Sequence, residues 1–322
     1  MSLLEVKGLS VGLEDREELL LRDVELTLEA GEIRGVVGES GSGKTMTSLA
    51  LLGLLPRGVR PRGGTATLEG RPLLDAGGTV TRRPGDITMI FQNPRAALNP
   101  TMRIGSQIRR VLRHVRGMGR AEAAAESVEL LRRVGIPGAD RVARAYPHQL
   151  SGGMCQRAVI AMALACRPRV LIADEPTTGL DVTVQAQIFD LLRELVDETG
   201  CGILFITHDL AAVAELCQTV SVLYAGQVME TTSTLGLWDD PRHPYSRFLL
   251  ESLDAAPDAD TADDEKGVEF SLPGCRFAHR CPHVFEKCSR FPQLVSAGAG
   301  HHYSCFLRQE GSDVPAQRSR PA

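Results

Sequence analysis

The stretch Gly38-Glu39-Ser40-Gly41-Ser42-Gly43-Lys44-Thr45 carries the residue types a triphosphate demands, in the spacing GxxxxGK[ST]. Glycines let successive backbone N–H groups curl round an anion, and a helix starting behind them adds partial positive charge. Lys44 can reach the β- and γ-oxygens of a nucleoside triphosphate, and the Thr45 hydroxyl can serve Mg2+. The pattern carries this meaning only after a strand and before a helix. Both are legible here: EIRGVVG reads as a buried strand, and TMTSLALLGLL as an apolar helix closed by Pro56. Gly38, Ser40, Gly41, Ser42, Gly43, Lys44 and Thr45 are therefore candidate phosphate and metal residues.

Downstream, RVLIADEP sets Asp174 and Glu175 at the end of an apolar strand, where two carboxylates are costly unless cations or water meet them. Asp174 suits the Mg2+ shell, and Glu175 suits polarisation of a water that attacks the γ-phosphate. Between the two motifs lies LSGGM, followed by CQRAVIAMALAC with helical periodicity. Ser151 with Gly152 and Gly153 opening a helix makes a second anion site, although alone it is equally an ordinary N-cap.

Taken in order, these motifs resemble the ATP-binding cassette family: GESGSGKT as Walker A, Gln92 in IFQNP as the Q-loop and LSGGM as the signature. VLIADEP matches Walker B, Gly179-Leu180-Asp181 the D-loop, and His208 in FITHD the switch histidine. The resemblance covers about residues 3–240. It implies an α/β P-loop nucleotide-binding domain with an antiparallel β subdomain and a helical subdomain at about 93–165. It also implies ATP with Mg2+ at Thr45 and Gln92, and Glu175, His208 and Gln92 as catalytic residues, with Gln92 reporting metal and water to the helical subdomain. Two cassettes would pack head to tail, so that Ser151, Gly152, Gly153 and Asp181 complete a partner's site. Two departures stand out. Met154 ends the signature where the family commonly has Gln. No Phe, Tyr or Trp precedes Phe91, so Leu13 is expected where the family stacks an aromatic on adenine.

The tail narrows the reading. DDPRHPYSRFLLESL and the block after it resemble the C-terminal extension of oligopeptide, dipeptide and nickel importer ATPases, in which HPY (His243, Pro244, Tyr245) precedes a cysteine-bearing segment. In isolation HPY reads as a proline-broken turn. The cysteines follow Cys275-x5-Cys281-x6-Cys288-x16-Cys305. Zinc sites favour tighter C-x2–4-C pairs, whereas wide, uneven gaps suit the separated iron corners of a cubane. The resemblance implies a [4Fe–4S] cluster on these four, with zinc and unligated or disulfide-bonded thiols as the alternatives and a structural staple as the simplest role. It further implies a related second ATPase subunit, two transmembrane permease subunits and an extracytoplasmic substrate-binding protein. Di- or oligopeptide import is the first reading, nickel import the second, and a soluble non-transport cassette ATPase the third, from another class.

The totals agree with this organisation. A length of 322 residues accommodates one large α/β domain, taken as residues 1–240, and an appendage, 241–322. A net charge of −4 gives no sign of a nucleic-acid binder, and arginine outnumbers lysine 32 to 4, which lowers the weight of any arginine-rich stretch. No apolar run approaches the roughly 18–20 residues that span a bilayer. MSLLEVKGLSVGLEDREE has no signal-peptide pattern, so the cytosol is the expected compartment, and the importer resemblance implies a peripheral place on the cytoplasmic face of the membrane. Residues 3–28 alternate as an antiparallel pair, and buried strands are expected at 87–91, 169–174, 202–207 and 219–226. A helical stretch is expected over 101–145. Glu251 to Glu269 carries eight acids against one lysine and reads as a solvated linker, and GSDVPAQRSRPA as a disordered tail.

Overall fold

The computed structural model describes residues 2–254, 270, 273–298 and 300–307; most of the acidic linker and the whole C-terminal tail lie outside them. Two sheets carry the chain. The first is antiparallel, in the order β2-β1-β4-β5, from β1 (Leu4–Leu13), β2 (Leu19–Leu28), β4 (Val59–Leu68) and β5 (Arg71–Leu74). The alternation of residues 3–28 does produce β1 and β2, which pair in register from Leu4↔Leu28. Leu4, Val6, Leu9, Val11, Leu21, Val24, Leu26 and Leu28 are all buried between the two sheets.

The second sheet has the order β11-β12-β10-β9-β3-β8-β7-β6. Its parallel core comprises β3 (Ile33–Val37), β6 (Ile87–Ile90), β7 (Val170–Asp174), β8 (Gly202–Thr207) and β9 (Thr219–Tyr224). Such strands are covered on both faces and read as continuous apolar runs; all residues of β3, β7 and β8 are buried. Antiparallel β10 (Gln227–Ser233), β12 (His302–Tyr303) and β11 (Val295–Ser296) extend one edge.

The helices are α1 (Lys44–Leu52), α2 (Pro94–Ala97), α3 (Ile104–Val115), α4 (Arg120–Arg133), α5 (Ala139–Val142), α6 (Gly152–Ala165), α7 (Val182–Thr199), α8 (Leu210–Leu216), α9 (Thr234–Asp239) and α10 (Pro244–Asp254). Helices α2 to α6 form the expected helical subdomain, with Ile104, Ile108, Leu112, Leu131 and Ile160 buried among them. No described helix is long and apolar enough to cross a membrane.

Two outcomes differ from the sequence reading. The HPY segment is not a broken turn: Pro244 opens α10, where a missing N–H costs nothing and the fixed φ suits a helix start. Nor is the cysteine segment a loosely tethered appendage. The rings of Tyr224, Tyr245 and Phe277 meet at centroid distances of 4.6, 5.3 and 5.2 Å and are fully buried, which roots the extension in the main sheet.

Candidate active site

The strand order decides which side chains meet. Neighbours β3, β8, β7 and β6 end in turn before Gly38, His208, Glu175 and Gln92, so the carboxyl ends of four adjacent parallel strands deliver the predicted chemistry to one edge. A cavity of about 290 Å3 lies there. Ser40, Gly41, Ser42, Gly43, Lys44, Thr45, Gln92 and Glu175 line it together with Leu20, Met46 and Phe270.

The loop after β3 is shaped by close approach. A Cβ at Gly38 would stand 2.1 Å from the Leu223 carbonyl oxygen, so only glycine fits. Lys44 is buried, and its Nζ donates to the carbonyl oxygens of Gly38 at 2.7 Å and Glu39 at 2.9 Å and to Ser42 Oγ at 3.1 Å. Burial lowers the ammonium's pKa, and the charges of Glu175, Asp174 and Glu39 oppose that shift. Thr45 Oγ1 donates to Asp174 Oδ2 at 2.8 Å. A hydroxyl beside a carboxylate is the hard-oxygen pair that Mg2+ prefers, and the residues present fit that ion. Desolvation pushes the Asp174 carboxyl up despite the Thr45 bond.

Glu175 sits at φ +47, a left-handed conformation that costs a side-chain-bearing residue about 1 kcal/mol or more. Its carboxylate gathers the remaining predicted residues. Gln92 Nε2 donates to Oε2 at 2.7 Å, Thr178 Oγ1 donates to the same oxygen at 3.0 Å, and His208 Nδ1 lies 3.1 Å from Oε1. Burial pushes this carboxyl up, but the bonds from His208 and Thr178 outweigh it and leave it below the ordinary range. Glu175 is thus anionic at neutral pH and suited to accept a proton from water.

The signature lies elsewhere. Ser151 caps α6, accepting from the Met154 N–H at 3.3 Å, and Ser151 and Gly152 are exposed; neither they nor Gly153 line the cavity. Asp181 similarly caps α7, accepting from the Val184 N–H at 3.0 Å. Leu13 is not among the lining residues either; Leu20, Met46 and Phe270 are the apolar residues that line the cavity. Sequence reasoning also missed Thr178, three residues beyond Glu175, and the C-terminal residues that grip the loop. Tyr245 and Arg280 both bind Glu39.

Cys275, Cys281, Cys288 and Cys305 line one small apolar cavity with His243. Desolvation pushes the Cys275 thiol up to about 12 and that of Cys305 up to about 11, with neighbouring thiols adding to both. Here the expected ligand shell is not formed: among the described residues no three His, Cys, Asp or Glu side chains are grouped to hold a metal ion. The four thiols share the lining of one cavity and nothing more. His243 is fully buried; its Nδ1 accepts from the Tyr245 N–H at 3.0 Å, while its Nε2 has no partner.

A phosphate loop, an acid pair and a switch histidine on adjacent parallel strand ends, flanked by an antiparallel sheet and a helical subdomain, define an ABC-type ATPase. The family described as ABC transporter matches residues 21–178, and the oligopeptide/dipeptide transporter C-terminal region matches residues 229–288. The chain belongs to the ABC transporter family, in the branch that carries this C-terminal region. It is 46% identical to the oligopeptide transport ATP-binding protein OppD of Salmonella typhimurium, over 94% of this chain and 93% of that protein. It is 41% identical to the oligopeptide transport ATP-binding protein AppD of Bacillus subtilis, over 96% and 98%. Among solved structures, the ATP-binding cassette MJ0796, a post-hydrolysis dimer bound to ADP and Pi, matches with a TM-score of 0.62 and 29% identity, over 72% of this chain and 98% of that one.

Proposed function

We propose that the chain hydrolyses ATP to power import of di- or oligopeptides through a membrane permease. In this reading residues 1–240 are the ATPase domain and 241–322 the peptide-importer extension. The observation that carries the proposal is the union, in one chain, of a cassette site built round Glu175 and an oligopeptide/dipeptide transporter C-terminal region bonded to its phosphate loop. Relatives matched over nearly their whole length are named for peptide import.

The loop from Gly38 to Gly43 binds the β-phosphate through its N–H groups, and Lys44 turns from its loop carbonyls to the β- and γ-oxygens. Thr45 and Asp174, with Gln92 nearby, would hold Mg2+, which when bound would supply positive charge to those oxygens. Glu175 orients the attacking water and takes its proton, and His208 positions the γ-phosphate. The exposed α6 start, Ser151 with Gly152 and Gly153, serves a nucleotide held by a second cassette, and Asp181 borders that junction. The dimeric form of the MJ0796 relative supports such pairing. We assign a related, non-identical chain as that partner, two permease subunits, an extracytoplasmic substrate-binding protein, and a peripheral place on the cytoplasmic membrane face.

The four extension cysteines are assigned to a [4Fe–4S] cluster, with zinc second. Zinc stands second because its sites favour tighter C-x2–4-C pairs than the spacing of these four cysteines. A cluster spreads its ligands over separate irons, and the unpartnered His243 Nε2 offers a hydrogen bond of the kind that tunes cluster sulfurs. The cavity holds about one water molecule as it stands, so loading requires the side chains to open.

Uptake tests the proposal. A strain in which this chain carries Lys44→Ala loses accumulation of labelled di- or oligopeptide and keeps nickel uptake; retained peptide uptake with lost nickel uptake transfers the assignment to nickel.

A further inference from the structure

The early sheet offers no aromatic group to a nucleotide base, because none precedes Phe91, and Leu13 does not reach the cavity. An aromatic side chain nevertheless lines it. Phe270 comes from the C-terminal extension, 250 residues beyond Leu20, the β2 residue that shares the cavity wall with it. The walls divide by chemistry. Gln92 and Glu175, from the ends of β6 and β7, form the hydrolytic side, whereas Leu20 and Phe270 belong to the β2 side.

Phe270 is held there by Arg276. This arginine is fully buried, and its guanidinium donates to the Leu19 carbonyl oxygen at 2.6 Å, to that of Leu20 at 3.5 Å and to that of Ala225. The same guanidinium lies over the Phe270 ring, 5.5 Å from its centroid. One face of the ring is thereby committed to a cation that is itself tied to β2. Phe270 is only half-buried, and a cation behind the ring draws its π-density away from the other face, which favours stacking on an electron-rich purine.

We propose that Phe270, backed by Arg276, is the platform on which the nucleotide base stacks, so that the C-terminal extension supplies the base contact that the early sheet lacks. The proposal rests on the reading of Gly38 to Thr45 as a triphosphate site. Every base has a π-face, so this contact adds affinity for purine triphosphates without choosing adenine over guanine. The extension then belongs to the nucleotide site itself.

The test is calorimetric titration of the full chain with ATP, GTP and inorganic tripolyphosphate in the presence of Mg2+. Phe270→Ala weakens ATP and GTP alike by roughly ten-fold, the worth of one base–aromatic stack, and leaves tripolyphosphate binding unchanged. Phe270→Trp in a Trp238→Phe background keeps ATP affinity, and its emission is quenched by ATP but not by tripolyphosphate. Wild-type ATP affinity in Phe270→Ala, or unquenched emission in the tryptophan variant, overturns the stacking role. Failure of the triphosphate reading looks different: Lys44→Ala then binds ATP and tripolyphosphate as the wild type does, and the proposal falls with it.

Discussion

The backbone N–H of Glu39 donates to the hydroxyl of Tyr245 at 3.0 Å, across 206 positions of sequence. Arg280 completes the grip, its guanidinium 2.8 Å from the Glu39 carboxylate. One residue of the phosphate loop is therefore held by backbone and side chain at once, from the helix that HPY opens and from the cysteine segment. The extension is a brace on the nucleotide site as well as an addition to the main sheet.

Tyr245→Phe isolates that brace. The ring stays packed on Tyr224 and Phe277, but the Glu39 N–H loses its acceptor, which costs about 1–2 kcal/mol. Thermal unfolding detects this as a fall in Tm of roughly 3 °C per kcal/mol. ATP binding weakens in parallel, because the loop is less ordered before it meets phosphate. An unchanged Tm and ATP affinity would show that the bond does not brace the loop.

Ser151→Arg separates a chain's own site from the site it completes. Ser151 is exposed and does not line the cavity, so ATP affinity of the isolated chain is unchanged. In the assembled transporter the arginine blocks the signature helix start, and ATPase activity falls by roughly 100-fold or more. Equal loss of binding in the isolated chain would place Ser151 at its own nucleotide instead.

The thiols give a pH-dependent readout. Burial pushes Cys201 and Cys217 up to about 12, so in the folded chain their thiolates form only as pH approaches that value, and iodoacetamide leaves them unmodified at pH 8. Metal-free Cys275 and Cys305 are also protonated at neutral pH, hence cluster loading releases protons and strengthens as pH rises. Anaerobically purified protein carries iron and sulfide in equal amounts with brown absorbance, and Cys288→Ser lowers both. Protein with neither iron nor sulfide contradicts the cluster assignment.

Much of the site was legible because its motifs are local and sit at strand ends. The run GILFIT became β8 with its bounds unchanged, and VLIAD became β7, because unbroken apolar runs have few alternatives in a two-sided sheet. Strand β4, VRPRGGTATL, was invisible: Pro61 and the Gly63-Gly64 pair interrupt its pattern, a largely exposed face erases the alternation, and pairing with β1 forms it instead. Tyr245 on Glu39 and Phe270 beside Leu20 were equally illegible. Contacts across some 200 residues leave no periodicity behind, and only the folded sheet brings them together.

The central claim is that Glu175 takes the proton of the attacking water at a site where Gln92 and His208 hold its carboxylate. Glu175→Gln in the assembled transporter, followed by phosphate release and by ATP titration, tests it most directly. The account predicts ATP affinity within the wild-type range and turnover lower by about 100-fold or more. Wild-type turnover in that variant would contradict it.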